Sequence, residues 1–261
     1  MSQLFPSANE LAEHARSEPT YAEWQRGYGP LQHSPQTCAA VYRMAQQLVQ
    51  AGVQPDLASV YRHLRALDRL TAAGLWLVVH MTYAQRVRLD GTALAAADFK
   101  PVPEGHTGGA LNMVPAYAGY LALNTLTRST RSWVMGQGHC VAAIDACNLL
   151  VGNTSPAHGQ RYDVSDAGLT RFVQDFYRYA VDPDGRPASP LGSHVNVHTA
   201  GGISEGGYLG FTELQYVHMP LPGERLEPGL SGKPERTPRK EPLVDVVDDP
   251  DRRRQHPMLQ G

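Results

Sequence analysis

Three histidines stand in glycine-flanked turns: His106 in Gly105-His106-Thr107-Gly108, His139 closing Gly136-Gln137-Gly138-His139, and His194 opening the stretch 192–211 (GSHVNVHTAGGISEGGYLGF). The same stretch holds His198, Glu205 and the pairs Gly201-Gly202 and Gly206-Gly207. Imidazole titrates near neutrality, so it can give or take a proton under ordinary conditions. Glycine lets the backbone come close to a ligand where a side chain would stand in the way. Several such histidines suit proton transfer and hydrogen bonding on a hydroxyl-rich, phosphorylated substrate. Three unrelated turn residues are the plain alternative. Zinc is a further one, opposed by the lack of finger spacing and by the place of His194 and His198 in a glycine-rich loop, not on a helix face. No paired carboxylates for glycoside chemistry, no phosphate-binding G-x-x-x-x-G-K-[ST] and no G-x-S-x-G elbow are present.

The elements that must position these residues follow from caps and periodicity. Ser7 or Asn9 caps a short helix through Arg16, which Pro19 ends, and 17–36 reads as an irregular connection. A helix starts at Thr37 with Val41, Met44 and Leu48 on one face, and Gly52 stops it. Asp56 caps the next, with Val60, Leu64 and Leu67 aligned, and 70–83 continues as helix or, less favoured, as a buried strand. His63 and His80 read as structural. The apolar run 111–126 is a helix whose regular part is expected from Pro115. A short strand at 132–135 leads through the G-Q-G-H turn into a helix over 140–150. That arrangement directs backbone N–H groups and the positive helix end at one point, where an anion such as phosphate can sit. Residues 153–163 read as loop, Ser165 caps a helix through Tyr179 with Leu169, Phe172 and Phe176 buried, and a helix over about 205–218 follows.

Composition limits the field. The 261 residues are 42% hydrophobic and 18% charged with a formal net charge of −2, which gives no general pull toward nucleic acid or an anionic membrane. Three cysteines, Cys38, Cys140 and Cys147, make no disulfide framework and point to a reducing, cytoplasmic setting. The start lacks the basic and apolar regions of a secretory signal, and no apolar run approaches the ~20 residues needed to span a bilayer.

With these blocks in order, the chain resembles the N-terminal part of the thiamine-diphosphate-dependent phosphoketolases that act on xylulose 5-phosphate and fructose 6-phosphate. The family's G-H-x-G turn is matched at 105–108 and its G-x-G-H at 136–139. Its S-H and G-x-I-x-E-G-G-x-L-G-[YF] block is matched at Ser193-His194 and 201–211. The similarity covers roughly 67–214. It implies an α/β thiamine fold, a parallel sheet flanked by helices, here incomplete. The division that follows is a helical extension at 1–66, the cofactor-fold domain at 67–222 and a tail at 223–261.

The chemistry so implied is carbon–carbon cleavage of a ketose phosphate, an aldehyde-lyase reaction in which phosphate yields acetyl phosphate and a shorter aldose phosphate. Thiamine diphosphate supplies the electron sink and Mg²⁺ anchors it. By resemblance, His106, His139 and His194 are catalytic, Glu205, Gly206 and Gly207 lie at the cofactor, and Gly136, Gly138 and His198 at substrate or phosphate.

Two departures stand out. Thr107-Gly108-Gly109-Ala110 replaces the family's Trp-Gly-Thr-Thr-Pro run after the first histidine, and Gln137 replaces its G-P-G-H proline. They suit a divergent branch, a ketose-phosphate epimerase among the alternatives. The Asp and Asn of the family's G-D-G-[EA] region, the hard oxygen ligands for Mg²⁺, are not in these residues, so no metal ligand is assigned. The expectation is a fragment inactive alone, completed by a partner chain or homo-oligomer, or else a non-catalytic remnant or binding module.

The tail at 223–261 has no Phe, Tyr or Trp, six prolines and eight charges of each sign, a composition expected to stay disordered. Its apolar patch is Leu243, Val244, Val246 and Val247, interrupted by Asp245, and could dock as an edge strand.

Overall fold

The computed structural model describes residues 6–131, 133, 140–154, 156–176 and 178. They form eight helices: α1 (Ala8–Ser17), α2 (Pro19–Gln25), α3 (Pro35–Gln50), α4 (Leu57–Tyr83), α5 (Thr107–Thr127), α6 (Val141–Leu150), α7 (Pro156–Arg161) and α8 (Asp166–Asp175), with a 3₁₀ turn at Ala96–Asp98 between α4 and α5. The described residues contain no strand, only two isolated bridge pairs, Tyr28 with Leu31 and Ala84 with Phe99. The expected parallel sheet is therefore not shown. Its strand at 132–135 lies outside the described residues except for Trp133, and the expected 205–218 helix and the tail lie wholly outside them.

Local signals account for the helix starts. Ser7 accepts from the Glu10 N–H at 3.2 Å while Glu10 reaches back to the Ser7 N–H, a reciprocal capping box. Asp56 accepts from the Ser59 N–H at 2.6 Å and Ser165 from the Gly168 N–H at 3.0 Å. Gly52, at φ 68°, follows α3 in the left-handed conformation that glycine adopts cheaply.

Four expectations need correction. Pro19 begins α2 instead of only ending α1, because a first-turn position has no intrahelical N–H bond to lose. Part of 17–36 is thus helical, with Tyr21 and Trp24 buried on that helix. Likewise α5 starts at Thr107, two turns before Pro115. Ala110 and Val114, both fully buried, hold those turns against the core although Pro115 cannot donate a backbone bond. The segment read as loop at 153–163 contains α7, again opened by a proline, and α8 ends at Asp175, short of Tyr179.

Long helix α4 is the spine. It packs most extensively on α5 and α6, then on α2. Its first half joins α1–α3 in an aromatic core of Tyr21, Trp24, Tyr61, Val60 and Leu64, with Leu126 from the end of α5. Its second half joins α5, α6 and α8 in a larger aliphatic core that includes Leu77, Val78, Met81, Val114, Ala146, Leu169 and Phe172. Gly74 sits tight against α5 and α6: a Cβ there would lie 2.9 Å from Val114 and 3.4 Å from Cys147. The helix runs unbroken through 66/67, where the extension was divided from the cofactor-fold domain.

Candidate functional site

His106 is the one proposed site residue among those described, and a tightly braced connection carries it. Between α4 and α5 the chain leaves at Ala84, makes the 3₁₀ turn and returns to the end of α4. There the Lys100 N–H donates to the Tyr83 carbonyl at 2.8 Å and the Glu104 N–H to the Thr82 carbonyl at 3.0 Å. Lys100 then turns its side chain inward. Its Nζ donates to the Met81 carbonyl at 2.8 Å and to Glu104 Oε2 at 2.7 Å, and the side chain is only 7% exposed. A cation at the carboxyl end of a helix also meets the negative end of its dipole.

The outer arc is pinned as well. Asp98 accepts from the Ala95 N–H at 2.9 Å and from Arg88 at 3.2 Å, with Arg86 at 3.7 Å. The Ala95 N–H and, behind it, the two guanidiniums hold its carboxyl below the usual range against the opposing effect of burial. From the other side, α8 takes hold of the arc. The Val87 N–H donates to Thr170 Oγ1 at 3.0 Å, the Leu89 N–H to Asp166 Oδ1 at 2.9 Å, and Gln174 Nε2 to the Gln85 carbonyl at 2.9 Å.

Gly105, at φ 92°, makes the turn into His106, a conformation that a β-carbon would strain. His106 is exposed and occupies the N-cap position of α5, where its carbonyl accepts the Ala110 N–H at 3.1 Å. The His106 side chain makes no capping hydrogen bond to this helix end. Thr107 donates its hydroxyl to Thr82 Oγ1 at 3.1 Å. Space is open beside Gly108, since a Cβ there would meet nothing within 4 Å. The result is an exposed imidazole beside the first N–H groups of a 21-residue helix, which can donate to an anionic oxygen.

The other assigned residues, His139, His194, His198, Gly136, Gly138, Glu205, Gly206 and Gly207, lie outside the described residues. His63 and His80 are spent on structure: their Nδ1 atoms pair with carbonyls one turn back, Ser59 at 2.7 Å and Trp76 at 2.9 Å. Cys38, Cys140 and Cys147 are buried and form no disulfide. Burial pushes the Cys147 thiol up to about 12, which suppresses the thiolate a nucleophile needs. No cluster of metal-ligating side chains occurs among the described residues, and no described helix is long and apolar enough to cross a membrane.

Two groups escaped sequence reasoning. Lys100 had one usable signal: it is the sole lysine outside the tail, the others being Lys233 and Lys240. Asp145 had none. It sits on α6, 1% exposed, and neither carboxylate oxygen has a hydrogen-bond partner among the described residues. Burial raises it to about 7. The indole N–H of Trp133, whose ring meets Tyr117 edge-on at 5.3 Å, is also buried and unpartnered.

Residues 59–217 match the family model of the XFP N-terminal domain, the N-terminal domain of the phosphoketolases. The match takes in more than half of the chain, and the protein belongs to this family. It starts within α4, encloses the loop that presents His106 and extends over all three histidine blocks. No curated protein and no solved structure matches the chain.

Proposed function

We propose that this protein is a phosphoketolase-type enzyme component that cleaves a ketose phosphate and captures the two-carbon unit with inorganic phosphate. The observation that carries the reading is the family match over 59–217 together with the exposed position of His106 at the open start of α5. In this reading His106, with His139 and His194, holds substrate hydroxyls and moves their protons. The α5 amides and the turn at Gly136 and Gly138, with His198, face anionic oxygens. Glu205, Gly206 and Gly207 lie against the cofactor. Bound thiamine diphosphate would supply the electron sink for the carbon–carbon cleavage.

His106 is suited to its share. An imidazole on a braced loop keeps its position while it exchanges a proton, and a neighbouring helix start favours the negative charge of a phosphorylated ligand. The Lys100 and Asp98 contacts fix the loop from both ends and leave its tip accessible. In this reading a partner chain supplies the hard oxygen ligands for Mg²⁺. We place the reaction in the cytoplasm and keep the three-part division at 66/67 and 222/223 as part of the proposal.

The test is product formation. The chain is combined with a polypeptide carrying the family's metal-binding block, thiamine diphosphate, Mg²⁺, phosphate and either xylulose 5-phosphate or fructose 6-phosphate. Acetyl phosphate, trapped as its hydroxamate, is the expected product. Interconversion of ketose phosphates without phosphate consumption would assign the epimerase alternative, and no turnover with either ketose would assign a binding module.

A further inference from the structure

A groove of about 600 Å³ lies along α4 between Arg62 and Ala73, bordered by Leu150 and Val151 at the end of α6. The His106 loop is anchored further along the same helix, at Met81, Thr82 and Tyr83, so the groove serves none of the chemistry above. Arg62, Ala66, Arg69 and Ala73 recur at helical spacing, which puts them in one stripe. The two arginines stand about 10 Å apart along the axis, with the exposed methyl of Ala66 between them. Leu70, Leu150 and Val151 make an apolar floor beside that gap, and Val151 is 49% exposed.

The cations of this stripe are only partly used. Arg65, beside it, is taken up by Glu23. Arg62 donates to Ser59 Oγ at 2.9 Å and reaches Asp56 only at 3.9 Å, with both side chains of that pair 59% exposed. Arg69 meets no carboxylate among the described residues, and its guanidinium lies over the Tyr28 ring at 5.7 Å. A ring face steadies the guanidinium plane and leaves the N–H donors at its edge available. Like charges one turn apart on a helix repel each other, and an anion held between them relieves this.

We propose that the groove binds a phosphate monoester with an apolar organic part. The phosphate lies between Arg62 and Arg69 over Ala66, and the organic part covers Leu70, Leu150 and Val151. Each guanidinium presents a fork of donors that matches carboxylate or phosphate oxygens. A carboxylate has two oxygens and fills one fork, whereas a phosphate monoester has three acceptor oxygens and nearly two charges to share between both. The floor offers no side-chain partner to a hydroxyl, which sets this ligand apart from the ketose phosphates of the proposed reaction. The volume falls within the range of about 300–1,000 Å³ usual for small-molecule sites.

Calorimetric titration of the full chain tests this, with phenyl phosphate as the probe and inorganic phosphate as its counterpart without an apolar part. Phenyl phosphate should bind about tenfold tighter or more, because its ring is buried on the floor. Arg62→Gln with Arg69→Gln should weaken it by about tenfold or more, through loss of the charge-assisted bonds. Val151→Ser should reduce its advantage over inorganic phosphate. His106→Asn should leave its affinity unchanged, which separates this site from the one proposed for the reaction. The wild-type chain gives a second reading that needs no variant. With phenyl phosphate at ten times its dissociation constant, modification of Arg62 and Arg69 by phenylglyoxal, located by mass spectrometry, should slow about tenfold relative to Arg16. Equal affinity for the two probes, binding that depends on His106 and not on Arg62 and Arg69, or unprotected modification of those two arginines would overturn the proposal.

Discussion

Two buried aspartates divide the molecule. Asp68, in the first half of α4, accepts from His33 Nε2 at 2.9 Å, and His33 in turn stacks on Trp24 with ring centroids 4.3 Å apart. Asp145, on α6, has no partner among the described residues. Burial raises both carboxyls, but at Asp68 the His33 contact works against it. The contrast extends to the neighbours. Around Asp68, His14 shares a hydrogen bond with the Tyr61 hydroxyl at 2.8 Å and Gln54 donates to the Leu126 carbonyl at 2.8 Å, the Tyr21 hydroxyl being the exception. On the α6 side, Tyr117 and Asn148 pair at 3.0 Å while the Trp133 N–H has no partner among the described residues. Among the described residues, the α1–α3 side spends nearly all its buried polar groups on holding the fold, whereas the α5–α6 side leaves Asp145 and the Trp133 N–H without a partner.

The same substitution in the two places should act with opposite sign. Asp145→Asn removes a buried charge that has no partner among the described residues. Because burial raises the folded carboxyl to about 7, wild-type stability should fall as pH rises from the ordinary carboxylate range to about 7 and level off above it. The full penalty is about 4 kcal/mol at most, so Asp145→Asn should raise the melting temperature at pH 8 and flatten the pH dependence between 4 and 7. Thermal melts across that range check it. A variant less stable than wild type at pH 8 would mean that the folded chain pairs the Asp145 carboxylate.

Gly74→Ala probes the same core by volume. Its added methyl would press on Val114 Cγ1 at 2.9 Å, and we expect a loss of about 1–3 kcal/mol in chemical denaturation. Little change would show that α4 and α5 separate easily there. Asp68→Asn should cost about 1 kcal/mol, since the amide keeps an acceptor for His33 but loses the charge. A gain at Asp68 like that at Asp145 would erase the distinction between the two cores.

How far the sequence disclosed this pattern depends on where the physics is local. Ser7, Asp56 and Ser165 announced their helices because a cap needs only the next few residues, and Gly52 ended one for the same reason. Pro19 and Pro115 misled because a proline's meaning depends on whether its position has an N–H bond to lose, and packing decides that. Asp145 could not be read at all. On an alanine-rich helix it resembles an outward polar residue, and only contact with α4 and α5 together encloses it. The glycine turn that precedes His106 was legible in the sequence, but the Lys100 and Asp98 braces, which join α4, the arc and α8, were not.

The most direct measurement sets turnover beside melting temperature for His106→Asn and His33→Asn, in a preparation that supplies the metal-binding block. His106→Asn should lower acetyl phosphate formation by about 10²–10⁴ with the melting temperature nearly unchanged, the usual loss for a general acid–base group. His33→Asn should lower the melting temperature while turnover per folded molecule stays near wild type, because its partners Asp68 and Trp24 lie in the structural core. If His106→Asn melts the protein and leaves the turnover of folded molecules intact, His106 belongs to the structure and the site is wrongly placed.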